Sequence, residues 1–311
     1  MPSIYTRSTR PLHVSDSQVQ RFRESGYTRV PGFFSAELAG VLRRISDRLS
    51  RRAGSIIKSC AAKDIPLSAH AQENALDLIV VPEATSPAKV CRYEFMLGSD
   101  SEFRGFIEQY VQAAVSALVG EETVPFKDKT NEKLPGGGAF RPHQDMAAYD
   151  HFGPRYHATA YLTIDSSTLA NGCVEFASNF DDLAATNPAL VSCTIDNRPV
   201  LHYNEGDMDH GDIRGDIADQ LRWRPIKTCP LDLVVFDSFI PHFSRPNRSG
   251  NPRRGIFVTF NRTSEGLWYE RYYAEKRLHY DDPKFHVGTP TLHRTSRACS
   301  TAIDGSSAID A

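Results

Sequence analysis

Three residues of this chain have the types and spacing to hold a catalytic metal. His143 and Asp145 lie in the run Arg141-Pro142-His143-Gln144-Asp145, and His242 follows the apolar run Leu233-Val234-Val235-Phe236-Asp237-Ser238-Phe239-Ile240-Pro241. Two imidazoles and one carboxylate on one face of an octahedral metal leave three positions open, the donor set of non-haem Fe(II) sites that activate oxygen. On a strand, residues i and i+2 point to the same side, so His143 and Asp145 would project together and Gln144 away from them. His242 would then close the triangle from a second strand end. The same donors with one water would also suit a zinc hydrolase. His151, His157, His202 and His210 lie close enough to the motif or its following loop to offer other imidazoles.

An arginine-rich turn follows His242 and carries Arg245, Arg248, Arg253 and Arg254 before the apolar strand Gly255-Ile256-Phe257-Val258-Thr259-Phe260. A guanidinium at the start of that strand can reach inward beside His242. Its planar fork grips a carboxylate through two parallel hydrogen bonds, which lysine cannot do. That suits the distal carboxylate of 2-oxoglutarate, whose keto-acid end would chelate the metal. Arg253 and Arg254 are adjacent and face opposite ways, so only one of them can serve. The others are expected to make a basic surface turn.

The elements that must position these groups read as helices first and strands later. Ser15 with Gln18 forms a capping-box pattern for a helix ending at Gly26, and Ser35 caps a second helix with Leu38, Val41, Leu42, Ile45 and Leu49 on one face. A third helix is expected from Ser101 to Gly120. Residues 67–82 show little periodicity. From Thr123 the chain turns to short strands separated by turn residues: Thr123 to Leu134, Ala139 to Asp145, His157 to Ile164, Val174 to Phe176, Leu231 to Phe236 and Gly255 to Asn261. The expectation is one mostly β domain over 1–294. It has a helical N-terminal part at 15–120, a jelly-roll core at 123–262, and a polar lid at about 179–229 that chooses the substrate. The segment 295–311 is small and polar and reads as a disordered tail.

Composition narrows the functions. With 311 residues, 40% hydrophobic and a net charge of −2, the chain can bury a large core but lacks the basic balance that nucleic acid or an anionic membrane would need. No window is apolar and long enough to span a bilayer. The first residues lack a secretory core, and the six scattered cysteines form no C-x-x-C pair, which fits reduced thiols in the cytoplasm. Oligomeric state is not readable.

The combined pattern is specific. H-Q-D is followed by Gly172-Cys173-Val174-Glu175-Phe176, then F-D-S-x-x-P-H-x-S-x-x-N, then an arginine eleven residues past the histidine. Over roughly Val30 to Tyr273 this resembles the phytanoyl-CoA dioxygenase family. The resemblance implies a cupin-like double-stranded β-helix and Fe(II)- and 2-oxoglutarate-dependent oxygenase chemistry. By it, His143, Asp145 and His242 hold iron. Arg253 meets 2-oxoglutarate with Ser244 as a neighbour, and Lys133 and Thr159 are further co-substrate candidates. One departure is Leu231-Asp232 where many members have a Gly-Asp turn. Lys133-Leu134-Pro135-Gly136-Gly137-Gly138 and Glu265-Gly266-Leu267-Trp268-Tyr269 look like the branch that hydroxylates 2-aminoethylphosphonate and related small amino compounds.

The substrate is therefore expected to be a small polar or zwitterionic molecule, oxidised with O2. Tyr149, Arg155, Tyr203, Asn204 and Trp223 are candidate contacts, and Asp207, His210, Asp212 and Arg214 crowd the same lid. The same machinery could act on an amino acid or secondary metabolite, with desaturation or C–N ring closure. From another class, a zinc hydrolase or a non-enzymatic sensor of 2-oxoglutarate and iron would also carry three such ligands. Only the oxygenase and the sensor would need Arg253.

Overall fold

A computed structural model describes residues 12–289 apart from 85, 207 and 208; Asp207, Cys299 and the expected tail at 295–311 lie outside the described residues. The strands are β1 (Tyr27–Val30), β2 (Ile79–Glu83), β3 (Ser86–Glu94), β4 (Thr123–Lys133), β5 (Phe140–His143), β6 (His157–Thr163), β7 (Val174–Ala177), β8 (Val191–Ile195), β9 (Arg198–Leu201), β10 (Trp223–Pro225), β11 (Leu233–Asp237), β12 (His242–Ser244) and β13 (Arg253–Arg262). A seven-stranded sheet runs β1-β11-β6-β13-β4-β3-β2, and a four-stranded sheet runs β10-β7-β12-β5. All pairings are antiparallel. The two sheets make a jelly roll, and the hairpin β8-β9 lies outside them.

The period-2 alternation of the strands divides the large sheet into two faces. Ala158, Ala160, Leu162, Leu233, Val235, Ile256, Val258 and Phe260 point outward into the main hydrophobic core. That core is closed by α1 (Asp16–Ser25), α2 (Ala36–Lys63), α3 (Leu67–Glu73), α4 (Met96–Ser99), α5 (Ser101–Tyr110) and α6 (Gln112–Val119). The opposite face looks into the roll and carries Lys129, Tyr161, Arg253, Phe257 and Thr259. The small sheet covers it with Val174, Phe176 and His242.

Local signals in the sequence set the helix ends. The capping box of Ser15 and Gln18 is formed, and Gly26 ends α1 in the left-handed conformation. Ser35 accepts a hydrogen bond from Leu38 N and starts α2, which runs on to Lys63, well past Leu49. The expected helix from Ser101 to Gly120 is two helices instead. Val111 departs from helical geometry at φ −118°, ψ −45°, which lets α6 turn onto β4. The N-terminal part is also less helical than expected, because β2 and β3 extend the large sheet. Every residue of β2 is buried, so its sequence has no apolar–polar alternation to read.

Further along the chain, α7 (Phe180–Thr186) and α8 (Gly215–Ala218) fill the region between β7 and β11. Helix α9 (Tyr269–Leu278) packs Tyr272 and Tyr273 into a second aromatic core with Phe126, Tyr149, Phe152 and Phe285. A buried ion-pair chain anchors it to the sheet: Lys276 meets Glu94 at 2.7 Å, and Glu94 meets Arg92 at 2.8 Å. Among the described residues no helix is long and apolar enough to cross a membrane, and the described cysteines are all free thiols.

The turn into His242 depends on Asp237. Its buried carboxylate accepts from Phe239 N and Ile240 N, both at 2.9 Å, and pairs with Arg198 at 3.2 Å. Asp237→Ala strands two buried donors. It is expected to cost about 1–3 kcal/mol per unsatisfied group and to lower Tm by roughly 2–4 °C for each kcal/mol, as read by thermal denaturation.

Candidate metal centre and co-substrate cavity

Strand β12 sits between β5 and β7, with His242 directly opposite His143 on one side and Phe176 on the other. In adjacent antiparallel strands this brings the two imidazoles side by side, ring centroids 4.3 Å apart and ring planes inclined by 54°. Asp145 completes the group. Strand β5 ends at His143, and Asp145 opens a 3-10 turn running to Ala148. The expectation that all of Ala139 to Asp145 is strand therefore does not hold. Gln144 keeps extended dihedrals, however (φ −108°, ψ 131°), so residues 143 and 145 still project together. Gln144 faces the other way and ties the turn down, accepting from Leu201 N at 2.8 Å and donating to the carbonyls of Pro199 and Phe239.

One donor atom from each of His143, Asp145 and His242 lies within 4.8 Å of the others, and all three residues are buried. Both imidazoles are held in the tautomer a metal requires. Nδ1 of His143 lies 2.6 Å from the Arg141 carbonyl and Nδ1 of His242 lies 3.1 Å from the Ile240 carbonyl. A carbonyl can only accept, so each Nδ1 carries the hydrogen and each Nε2 keeps a free lone pair. Burial, and for His143 the neighbouring His242, holds both imidazoles neutral, with His143 pushed down to about 3. Burial alone would raise Asp145, but Lys129 and the two imidazoles outweigh it and keep the carboxylate ionised. The chemistry of this donor set fits a six-coordinate divalent cation with open positions. His151, His157, His202 and His210 are not part of the cluster.

A small cavity of about 30 Å³ opens beside the histidines, lined by Lys129, Asn131, Phe140, Ser244, Arg253 and Phe257 among others. Arg253 is 1% exposed, and its Nε reaches Ser167 Oγ at 3.4 Å. It makes no ion pair among the described residues. Arg254 faces the other side, as adjacency requires, and binds Asp165 at 2.8 Å and Asp47 at 2.6 Å. Arg245 pairs with Glu175 at 2.7 Å. A buried guanidinium without an acid partner, in the wall of a cavity, has the chemistry to receive an anion.

The other expected contacts divide. Ser244 lines the cavity. Lys133 pairs with Arg253 across β4 and β13, but its ammonium is spent on Ser244 Oγ at 2.8 Å and the Arg245 carbonyl at 2.5 Å, and it is not in the cavity wall. Burial and Arg253 push it down to about 6. Thr159 shares a hydrogen bond with Thr259 at 2.9 Å and lies deeper in the roll. Tyr149 is fully buried behind Asp145.

Arg155 is exposed, with its backbone held by Glu265. Trp223 packs edge-on against Phe243, Tyr203 against His210, and Asn204 bonds Asp212 through the backbone. None of these four lines the cavity; they hold the surrounding loops together. The sequence reading missed Lys129 and Asn131, although alternation back from Lys133 along β4 points to both. It also missed Gly288, whose carbonyl accepts from Arg141 N while its own N–H donates to Asp212.

The jelly roll and its cluster define a mononuclear-metal dioxygenase. The chain belongs to the phytanoyl-CoA dioxygenase family, whose model matches residues 22–178. It is 36% identical over 194 residues to the 2-aminoethylphosphonate dioxygenase of uncultured bacterium HF130_AEPn_1, covering 62% of this chain and 67% of that one. It is 31% identical over 265 residues to the methylphosphonate hydroxylase of Gimesia maris, covering 85% and 87%. Among solved structures it resembles EctD from S. alaskensis with 2-oxoglutarate and 5-hydroxyectoine. That match has a TM-score of 0.57 at 16% identity and covers 85% of this chain and 81% of that one. The carbocyclase SnoK from nogalamycin biosynthesis gives 0.55 at 14%, covering 80% and 84%. At such identities the structural likeness speaks for the fold.

Gly288 gives a direct test of the cluster. It has φ +68°, and a Cβ there would lie 2.6 Å from His143 Nδ1. Gly288→Ala is expected to tilt the imidazole and weaken Fe(II) binding about 10- to 100-fold, the scale of other disturbances behind a ligand, as measured by anaerobic metal titration. Because both imidazoles are already neutral, Fe(II) binding at pH 7 should release almost no protons. Calorimetry in buffers of different ionisation enthalpy should give the same apparent heat.

Proposed function

We propose that the chain is an Fe(II)- and 2-oxoglutarate-dependent dioxygenase that hydroxylates a C–H bond of a small phosphonate, of the 2-aminoethylphosphonate kind. The observation that carries this reading is Arg253, a buried guanidinium with no acid partner among the described residues, in the same cavity as two of three clustered metal-type ligands. A zinc hydrolase has no use for it. The names of the relatives from the uncultured bacterium and Gimesia maris support the phosphonate part.

In this reading His143 Nε2, Asp145 and His242 Nε2 hold the iron, and Arg253 with Ser244 grips the distal carboxylate of 2-oxoglutarate. The iron, when bound, supplies the binding and reduction of O2. The overall balance is substrate C–H, O2 and 2-oxoglutarate giving substrate C–OH, succinate and CO2. The protein's share is placement. Arg253 fixes how far the co-substrate reaches toward the ligands. The aromatic lining of Phe140, Phe236, Phe243 and Phe257 keeps water from the reacting atoms.

Purified, iron-loaded protein is expected to release succinate from 2-oxoglutarate in air, faster when 2-aminoethylphosphonate or methylphosphonate is present. Arg253→Ala should raise KM for 2-oxoglutarate roughly 10- to 150-fold, the worth of a charged hydrogen-bonded contact of about 1.5–3 kcal/mol. Arg253→Lys should recover only part of it. No succinate from iron-loaded protein under any of these conditions would overturn the reading.

A further inference from the structure

The inner face of the large sheet has two cationic ends. Arg253 and Lys133 pair at one; Lys129 pairs with Phe257 in the middle; Lys127 pairs with Thr259 toward the other. Thr259 lies six residues along β13 from Arg253, about 20 Å at roughly 3.3 Å per residue. Arg253 can therefore serve only one ligand end; Lys129 shares the cavity wall with it beside the histidines, and Lys127 lies farther along the strand, on the Asp145 side of the cluster.

Neither lysine makes an ion pair among the described residues. Lys127 is 6% exposed, its Nζ 3.4 Å from the Tyr272 hydroxyl and 4.8 Å from the centre of the Tyr149 ring. Lys129 reaches into the cavity wall beside His143 and His242, with Nζ 5.6 Å from the Phe257 ring centre. The nearby acid Glu94 is already taken by Lys276 and Arg92. Four cationic side chains, Lys127, Lys129, Lys276 and Arg92, thus face Glu94 and Asp145 alone, and Asp145 belongs to the metal cluster. A divalent cation there would deepen the surplus. Two further polar groups are buried without hydrogen bonds in this same region, the Tyr149 hydroxyl and both ring nitrogens of His157, each residue 0% exposed.

We propose that Lys129 and Lys127, with the Tyr149 hydroxyl, form the subsite that holds the tetrahedral, dianionic head group of the substrate, farther along the inner face of the sheet than Arg253. This rests on the phosphonate reading above and gives it residues. The donor types match. Ammonium groups are compact point charges with three hydrogens each, suited to a tetrahedral anion whose oxygens point in several directions, whereas the planar fork of Arg253 suits a flat carboxylate.

The test is calorimetry under nitrogen on Fe(II)-loaded protein with 2-oxoglutarate, titrated with methylphosphonate and with 2-aminoethylphosphonate. The variants are Lys129→Met, Lys127→Met, Lys129→Arg and Tyr149→Phe, with 2-oxoglutarate affinity measured separately as the control for folding. The expected result is phosphonate binding weakened about tenfold or more by either methionine, largely kept by Lys129→Arg, and lowered less by Tyr149→Phe. Affinity for 2-oxoglutarate should stay within about twofold, since each tenfold change is about 1.4 kcal/mol. Wild-type affinity in both methionine variants would overturn the subsite and leave the phosphonate reading standing. An equal loss of 2-oxoglutarate binding would make the lysines co-substrate contacts and overturn it as well. No phosphonate binding by the wild-type protein would remove the substrate reading itself.

Discussion

The pairing of β12 with β5 is the interaction on which the rest of the centre depends. It sets His242 across from His143 at the one point where the small sheet meets the turn carrying Asp145. Two carbonyls, of Arg141 and Ile240, then fix which nitrogen of each imidazole is free. Everything outside this pairing preserves it. Gln144 anchors the turn behind Asp145, Asp237 shapes the approach to His242, and Gly288 fits against the His143 ring because it has no side chain. A shift of one residue in either strand would send one imidazole to the other face of the sheet.

That precision is obtained in an interior full of charge. The roll buries Arg92, Glu94, Lys127, Lys133, Asp145 and Arg253, none more than 6% exposed. Such groups are costly unless each finds a partner. The structure separates them by that criterion. Glu94, Arg92 and Lys276 satisfy one another and fasten α9 to the sheet, and Lys133 is satisfied by Ser244 and Arg245. The inner-face cations with neither an acid nor more than one hydrogen bond among the described residues, Arg253 at one end and Lys127 and Lys129 toward the other, are those set apart for ligands in the proposed reading. Stability and binding thus draw on the same residue types, and the hydrogen-bond record tells the two uses apart.

The same distinction explains what the sequence disclosed. The three metal-type ligands and Arg253 were legible because each sits in a short run whose periodicity or adjacency constrains its direction. Arg254 turned outward for the reason given by its neighbour. Helix ends were legible where capping is local, at Ser15, Gly26 and Ser35. Strand β2 was not, because burial on both faces removes the alternation that marks a strand. Gly288 could not be found: its contact with His143 spans 145 positions and leaves no local pattern. Lys129 and Asn131 were within reach, since the alternation that singles out Lys133 on β4 also places both on its face. The lid candidates Arg155, Asn204 and Trp223 drew attention by residue type alone, and type without periodicity did not locate them.

Lys133 is a residue that the resemblance offers to the co-substrate and whose hydrogen bonds in the structure go elsewhere. Its position one pair across from Arg253 invites a co-substrate role, yet its hydrogen bonds close the loop after β12 and hold Ser244 in the cavity wall. With the ammonium so engaged, and burial and Arg253 together pushing it down to about 6, this lysine adds little attraction for a carboxylate at neutral pH. It positions Ser244 and the arginine turn. Among the described residues Arg253 is then the cation at its end of the roll without an ion pair, which accounts for a guanidinium there. A lone ammonium with Lys133's surroundings would lose its charge, while arginine keeps it at any pH the fold survives.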